Sequence, residues 1–358
     1  MAYTTVNKSS DFFNTKTYTS TGNDNLAITG VGFEADFTWI KKLRVVSGSN
    51  TNEAHMLADQ VRGYNKWIAS SSNGAESTST NDLKSWQSDG FTLGTDNKVN
   101  QGSTPHTYAA WNWLANGQGS SNTAGSINTT YTSVNTTSGI SISKYTGTGS
   151  NATFGHGLGV KPDIVFWKRL DNSAGAVNWI VQSPLLGNQN KLVLNTTEAT
   201  STGSSFSQTD NWTNSLIDLK TYEGQNSSGG TYVAYTFASK TGYSKIGSYT
   251  GNGNNDGTFV YTGFKPALVI RKCINASSTS WSIMDNKRFG YNTVLPYVYA
   301  NTEASEETTQ NVNNIDLLSN GFKCRESAAD SNVNGNTYIY LAFGQSLVGT
   351  NNIPNNAF

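Results

Sequence analysis

The stretch Thr107-Tyr-Ala-Ala-Trp-Asn-Trp113 returns as Thr231-Tyr-Val-Ala-Tyr-Thr-Phe237 and again as Thr337-Tyr-Ile-Tyr-Leu-Ala-Phe343. On an extended chain, residues two apart share a face. One face therefore carries Ala109, Trp111 and Trp113 in the first copy, Val233, Tyr235 and Phe237 in the second, and Ile339, Leu341 and Phe343 in the third. That face is apolar every time, so each stretch reads as a half-buried strand that closes a repeated unit.

Upstream of each closing strand the same markers recur in order. Tyr18-Thr-Ser-Thr-Gly22, Tyr145-Thr-Gly-Thr-Gly149 and Tyr249-Thr-Gly-Asn-Gly253 open the copies. Each is followed by a small-residue turn and then a second apolar strand ending in Lys41, Lys168 or Lys272. In that strand Phe37/Trp39, Ile164/Phe166 and Leu268/Ile270 alternate toward a core. Ile40, Trp167 and Arg271 share the opposite position, and their variety reads as a surface or a domain contact. Between the second and closing strands, Trp67-Ile-Ala-Ser-Ser71 aligns with Val193-Leu-Asn-Thr-Thr197 and Tyr299-Ala-Asn-Thr-Glu303. Ser88-Asp-Gly-Phe91 matches Ser319-Asn-Gly-Phe322, with no equivalent in the second copy. A period of about a hundred residues is too long for a solenoid coil, so each copy is a whole domain.

The fold class that follows is all-β, with three tandem jelly-roll-like β-sandwiches. Asn-Gly pairs at 73–74, 116–117, 320–321 and 334–335 suit tight turns. Only Ala54 to Lys66 reads as a place for a short helical turn. We divide the chain into an N-terminal docking segment (1–16), repeat one (17–117), a linker with strand-like pieces (118–138), repeat two (139–240), repeat three (241–346) and a tail (347–358). The short junction Ser239 to Tyr243 calls for rigid packing of repeats two and three.

Of 358 residues, 13% are charged, and 24 basic residues balance 24 acidic ones, which argues against a nucleic-acid partner. No apolar run is long enough to insert into a bilayer, and Met1 to Asn14 lacks the pattern of a secretory signal. We therefore expect cytoplasmic synthesis, with Cys273 and Cys324 as buried reduced thiols.

Chemistry is sparse. His55, His106 and His156 are scattered, without metal-ligand spacing. His55 falls where Trp179 and Trp281 fall in the other copies, which reads as half-buried packing, while His106 and His156 read as surface residues. No nucleophile elbow is present. Glu76, Glu198 and Glu303 lie in matching regions, and acids that recur in every copy point to construction rather than to catalysis. Asp59 with Arg62 and Asp285 with Arg288 recur as pairs that hold a loop, with Ser183 at the Asp position of the second copy. Asn252 to Gly257 and Asn23-Asp-Asn25 carry oxygen ligands without the calcium-loop pattern, and turn geometry accounts for them. We expect no enzyme activity and no cofactor. Most of the nine Trp map to cores, which leaves Trp167 and Trp212 as ligand-facing aromatics.

With these motifs assembled, the chain resembles a family of marine bacteriophage virion structural proteins, tail-fibre-like or lectin-like repeats of cyanophages and pelagiphages. The resemblance rests on Met1-Ala-Tyr-Thr-Thr-Val-Asn-Lys-Ser-Ser-Asp-Phe-Phe-Asn-Thr-Lys16, the Tyr-Thr-Gly openings, Gly155-His-Gly-Leu-Gly-Val160, Tyr243-Ser-Lys-Ile-Gly-Ser-Tyr249 and Val260-Tyr-Thr-Gly-Phe-Lys-Pro-Ala267. It covers nearly the whole chain and implies a virion protein whose partners are other phage virion proteins. The expectation is a tail fibre or tail-associated appendage for host attachment, homotrimeric by analogy with fibres and docked through Tyr3, Phe12 and Phe13. Capsid or baseplate decoration, and a carbohydrate-binding module that reads host surface glycan, are the alternatives.

Overall fold

The computed structural model describes residues 4–44, 52–102, 104–173, 175–288, 295–308 and 314–346. The architecture is all-β and antiparallel. Each repeat builds one large sheet from a first strand (Phe13–Thr19, Ile140–Thr146, Ser244–Thr250), the closing strand (Thr107–Trp113, Thr231–Phe237, Thr337–Gln345), a second strand (Phe37–Arg44, Ile164–Arg169, Lys265–Cys273) and a third (Met56–Asp59, Ile180–Gln182, Ser282–Asp285), adjacent in that order. A smaller outer sheet covers one face of each. It pairs Leu26–Thr29, Gly90–Leu93 and Leu83–Gln87 in repeat one, Ala152–Gly155 and Leu216–Leu219 in repeat two, and Phe259–Tyr261, Gly321–Cys324 and Ile315–Leu318 in repeat three.

The shared opening motif has a mechanical reason. Tyr18 stacks on Tyr108 at 5.1 Å, Tyr145 on Tyr232 at 5.4 Å and Tyr249 on Tyr338 at 5.0 Å, so opening and closing strands are stapled by their own tyrosines. Each phenol then donates to a buried backbone carbonyl, for example Tyr18 to Val99 and Tyr249 to Ser331. The motif glycines Gly22, Gly149 and Gly253 sit at φ near +70°, which L side chains rarely adopt. The turn is locked by one asparagine per repeat. Asn100, Asn226 and Asn332 accept from the backbone N–H of Thr21, Thr148 and Asn252 and donate back to carbonyls across the turn.

The closing and second strands at the centre of every large sheet are buried on both faces. One face packs under the outer sheet in a small core belonging to its own repeat. The other packs into a single core shared by all three repeats, which gathers Trp39, Trp111, Phe166, Trp179, Ile270 and Trp281 among others. The repeats are therefore not beads laid end to end, and the chain is not a rod of projecting units. They lie side by side around a common axis. That axis is marked by the equivalent closing aromatics: Trp113 lies 5.7 Å from Phe343, Phe343 5.8 Å from Phe237, and Phe237 6.4 Å from Trp113. A void of about 20 Å³ lined by aromatic and aliphatic carbon remains there, too apolar to hold water.

This arrangement corrects the reading of Ile40, Trp167 and Arg271 as a surface or a domain contact, since they face the core of their own repeat. All three are fully buried on the outer-sheet side of the large sheets. A strand covered on both faces reads as a continuous apolar run rather than as alternation, and Ile164-Val-Phe-Trp167 is such a run.

The segment boundaries also shift. Residues 4–16 are built into the body: Phe13 begins the first strand and stacks on Phe343 at 5.4 Å, while Val6 is buried in the shared core. Segment 118–138 is part of repeat two, with Tyr131–Asn135 paired to its first strand and Ile127 bridged to Phe154. Ala54 to Lys66 holds the third strand and a turn closed by Gly63 N–H to the Asp59 carbonyl, while among the described residues the α-helical turns are Asn97–Asn100 and Glu223–Asn226 and the 3-10 turns Ser9–Asp11, Pro184–Leu186 and Thr209–Asn211. The tail from 347 lies outside the described residues.

Candidate functional site

The most elaborate polar chemistry lies where neighbouring repeats meet, and it is nearly the same chemistry three times. Trp179 donates its indole N–H to the Ala69 carbonyl of repeat one at 2.8 Å, and Trp281 donates to the Val193 carbonyl of repeat two at 2.9 Å. His55, at the equivalent place, closes the ring by bonding the Tyr299 carbonyl of repeat three at 3.0 Å. These bonds equate Ala69, rather than Trp67, with Val193 and Tyr299, a two-residue correction to the sequence alignment. Backbone bonds repeat the pattern: Glu76 N–H to Leu170, Thr200 N–H to Ile274, and Glu306 N–H to Leu43.

The lysines that mark each repeat are fully buried in these junctions. Lys41 Nζ bonds the carbonyls of Glu53 and Glu303, and Lys168 Nζ those of Asn73 and Val177. Lys272 Nζ bonds the Cys273 carbonyl and the Thr279 hydroxyl, and Thr279 N–H reaches Thr197 of repeat two. Burial pulls all three ammonium groups down to about 8. Lys41 and Lys168 act as cationic pins on backbone carbonyls of a neighbouring repeat, whereas Lys272 holds Thr279 of its own repeat, whose N–H makes the crossing bond.

His55 accepts from Trp39 Nε1 at Nδ1, at 2.8 Å, so its proton sits on Nε2 and points at Tyr299. Burial first, then the Lys41 charge, holds it neutral well below the usual histidine range. It occupies the Trp179/Trp281 position as expected, but fully rather than half buried. His106 and His156 are not surface residues, and both are fully buried. His156 accepts from Leu158 N–H and bonds the Thr213 carbonyl, and burial lowers it to about 4. Ser20 N–H donates to the His106 carbonyl, and His106 N–H donates to the Ser20 hydroxyl.

The Asp/Arg pairs do more than hold a loop. Asp59 pairs with Arg62 at 2.5 Å and accepts the Tyr235 hydroxyl of repeat two at 2.6 Å. Asp285 pairs with Arg288 at 2.7 Å and accepts the Trp111 indole N–H of repeat one at 3.0 Å. Each arginine also meets an acid, Glu76 or Glu306, so these two glutamates are the structural equivalents. In the remaining junction Ser183 bonds the Asp163 carbonyl, and Leu186 and Leu341 join the shared core.

The chain connections are fastened by a residue that sequence reasoning passed over. Asp36 accepts the N–H groups of Ala115 and Gly117 at the start of the first connection, and Asp163 accepts Ser239 N–H in the second. The third copy has Ala267 there. Burial raises Asp36 to about 6 against those two bonds.

The aromatics expected to face a ligand do not. Trp167 is fully buried and Trp212 is 2% exposed; their rings meet at 5.9 Å in the core of repeat two, and Trp212 Nε1 bonds Ser207. Of the expected docking residues, Tyr3 lies outside the described residues, Phe13 is in the shared core and Phe12 packs against it. Cys273 and Cys324 are free and buried. Among the described residues no group of His, Cys, Asp or Glu is arranged to hold a metal. A cleft of about 390 Å³ opens between the N-terminal segment and repeat three, lined by Phe13, Thr15, Lys265, Ala267, Lys287 and Leu317.

A family model described as a domain of unknown function, DUF7483, matches residues 8–346. The chain belongs to that family. The match spans all three repeats, so the family's unit is the closed ring and not the single sandwich. No curated protein and no solved structure matches the chain.

Proposed function

We propose that this protein is a non-enzymatic structural component of a bacteriophage particle, a tail-associated appendage body that takes part in host attachment. The observation that carries the non-enzymatic reading is the use made of the buried ionisable groups. His55, Lys41, Lys168, Asp59 and Asp285 all bond across a junction between repeats. A catalytic group needs a substrate-sized space beside it, and these groups have backbone and aromatic side chains there instead. The virion assignment rests on the resemblance in the opening, Gly-His-Gly and Gly-Phe-Lys-Pro motifs. A weakly charged body with a shared core suits an exposed, durable particle surface.

The threefold arrangement expected between chains of a fibre occurs here inside one chain. The apolar faces that a trimer of sandwiches would bury are already packed against each other, so the proposed unit is a single chain bound to other virion proteins. Immunogold labelling of purified particles tests the reading. Label at the tail supports it, and absence of the protein from washed, intact particles overturns it.

A further inference from the structure

The three repeats give an internal control for surface function, because equivalent positions can be compared on one scaffold. Leu26–Thr29, Ala152–Gly155 and Phe259–Tyr261 are equivalent strands at the edge of the outer sheets, and each turns one bulky residue into its repeat's core: Ile28, Phe154 or Val260. The flanking residues are Ala27 and Thr29, both exposed, in repeat one; Thr153 and Gly155, covered by Ser126 and Asn122, in repeat two; and Phe259 and Tyr261 in repeat three. Repeat one thus leaves small residues exposed at both positions, yet repeat three exposes two aromatic rings there, Phe259 at 44% and Tyr261 at 55%. They stand about 7 Å apart on one face, the spacing of alternate strand residues.

Both rings are held in place. Phe259 lies over Gly321, where an added Cβ would come within 3.1 Å of the ring. Lys245 bonds the Tyr261 carbonyl at 2.8 Å and sits 5.4 Å from its ring centre. A row of paired charges starts beside Phe259, because Lys323 is its direct strand partner. Lys323 bridges Asp256 at 2.5 Å, Arg325 bridges Asp256 at 3.2 Å, and Arg325 also pairs with Asp316. Asp256 is largely exposed.

We propose that Phe259 and Tyr261 form a stacking platform for a pyranoside, with Asp256, Lys323 and Arg325 serving its hydroxyls. Flat aromatic faces match the C–H face of a sugar ring, and a row offering both donors and acceptors matches hydroxyl groups, which need both. The paired charges leave the row close to neutral, which suits an uncharged ligand better than a phosphate. The exposed area of two rings is well short of the roughly 800 Å² per partner of a stable protein interface. The site stands whether or not the protein belongs to a phage particle.

The test uses the full-length protein on a glycan array presenting hexose, hexosamine and uronic-acid oligosaccharides. The expected result is binding to at least one pyranoside that falls about tenfold or more in the double variant Phe259→Ala/Tyr261→Thr, which carries the residues of repeat one. The single variant Asp256→Ala is expected to weaken the same signal without changing the melting temperature. Binding that is unchanged in both variants, or no binding by the unaltered protein to any sugar on the array, overturns the proposal. Neither result bears on particle location, so the virion reading stands or falls separately.

Discussion

Two of the three junctions between repeats carry a buried ion-pair set and the third has uncharged residues in its place, although all three are built from the same strands. Between repeats one and two, and between three and one, a buried Asp/Arg pair accepts a bond from an aromatic of the neighbouring closing strand, Tyr235 or Trp111. Between repeats two and three the matching residues are Ser183, Leu186 and Leu341. The changes are coupled across the junction. Where the aspartate is absent, the arginine is a leucine, its glutamate partner is Thr200, and the residue that would donate to the aspartate is a leucine from another repeat. A buried charge cannot be left without its partner, so the set is present or absent as a whole. The asymmetry of the second copy, visible in the sequence as a missing Asp/Arg pair, is therefore half of a two-sided exchange completed in the third.

The largest expected effect comes from breaking one polar set in part. Asp59→Ala takes the closest carboxylate from buried Arg62, leaving it the longer contact with Glu76, and takes the acceptor of the Tyr235 hydroxyl, and should destabilise the protein by about 3 kcal/mol in urea unfolding. Ser183→Ala, at the equivalent position of the third junction, removes the bond to the Asp163 carbonyl and the cap on Leu185 N–H and should lose only about 1–2 kcal/mol. Equal losses would show that the two kinds of junction do not differ as described.

A smaller effect separates the junctions by pH. His55 stands where the other two junctions have tryptophan. Its folded-state affinity for protons is depressed, and so is that of His156, at about 4. Below about pH 6.5 the unfolded histidines take up protons that the folded ones refuse, so stability falls from there toward pH 4. Asp36, raised to about 6, works the other way: folded Asp36 binds a proton first, which adds stability as pH falls from about 6 to 4. Glu53 and Asp82, raised by burial, add to that gain, so the contribution of His55 is read as a difference between proteins. From pH 6.5 to 4.5 the urea stability of His55→Trp should fall less than that of the unaltered protein, by at most roughly 1.4 kcal/mol per pH unit; equal falls would show that His55 carries none of the dependence.

The smallest effect is expected from exchanging a whole set. The combination Asp59→Ser, Arg62→Leu, Glu76→Thr and Tyr235→Leu gives the first junction the residues of the uncharged one. Its stability should lie within about 2 kcal/mol of the unaltered protein, since well-packed apolar groups replace buried ion pairs at little net change. A loss as large as that of Asp59→Ala alone would mean that the sets are not interchangeable.

The repeats themselves were legible in the chain because their markers do mechanical work. The opening tyrosines staple the closing strand, the glycines take a left-handed turn, and the lysines pin the junctions. What was not legible was the second burial of each sheet. Alternation in the closing strands shows one apolar face but not whether the other is covered by the small outer sheet. Trp167 and Arg271 were misplaced for that reason, and Trp212, expected as a ligand-facing ring, is buried in the same repeat core as Trp167. The run Ile164-Val-Phe-Trp167 was the available signal. The two-residue slip at Trp67 arose because short β-rich runs fit more than one register, and only the bond from Trp179 to Ala69 decides between them. The exposed pair Phe259 and Tyr261 was hidden by its surroundings, since an aromatic on a strand reads as core until its neighbours are known.

The central claim is that three repeats share one core and so unfold as one body. Differential scanning calorimetry of the full chain tests it most directly. The account expects a single transition whose calorimetric and van't Hoff enthalpies agree, and expects Asp59→Ala to lower that one transition as a whole. Two or three separable transitions, with only one of them moved by Asp59→Ala, would contradict it.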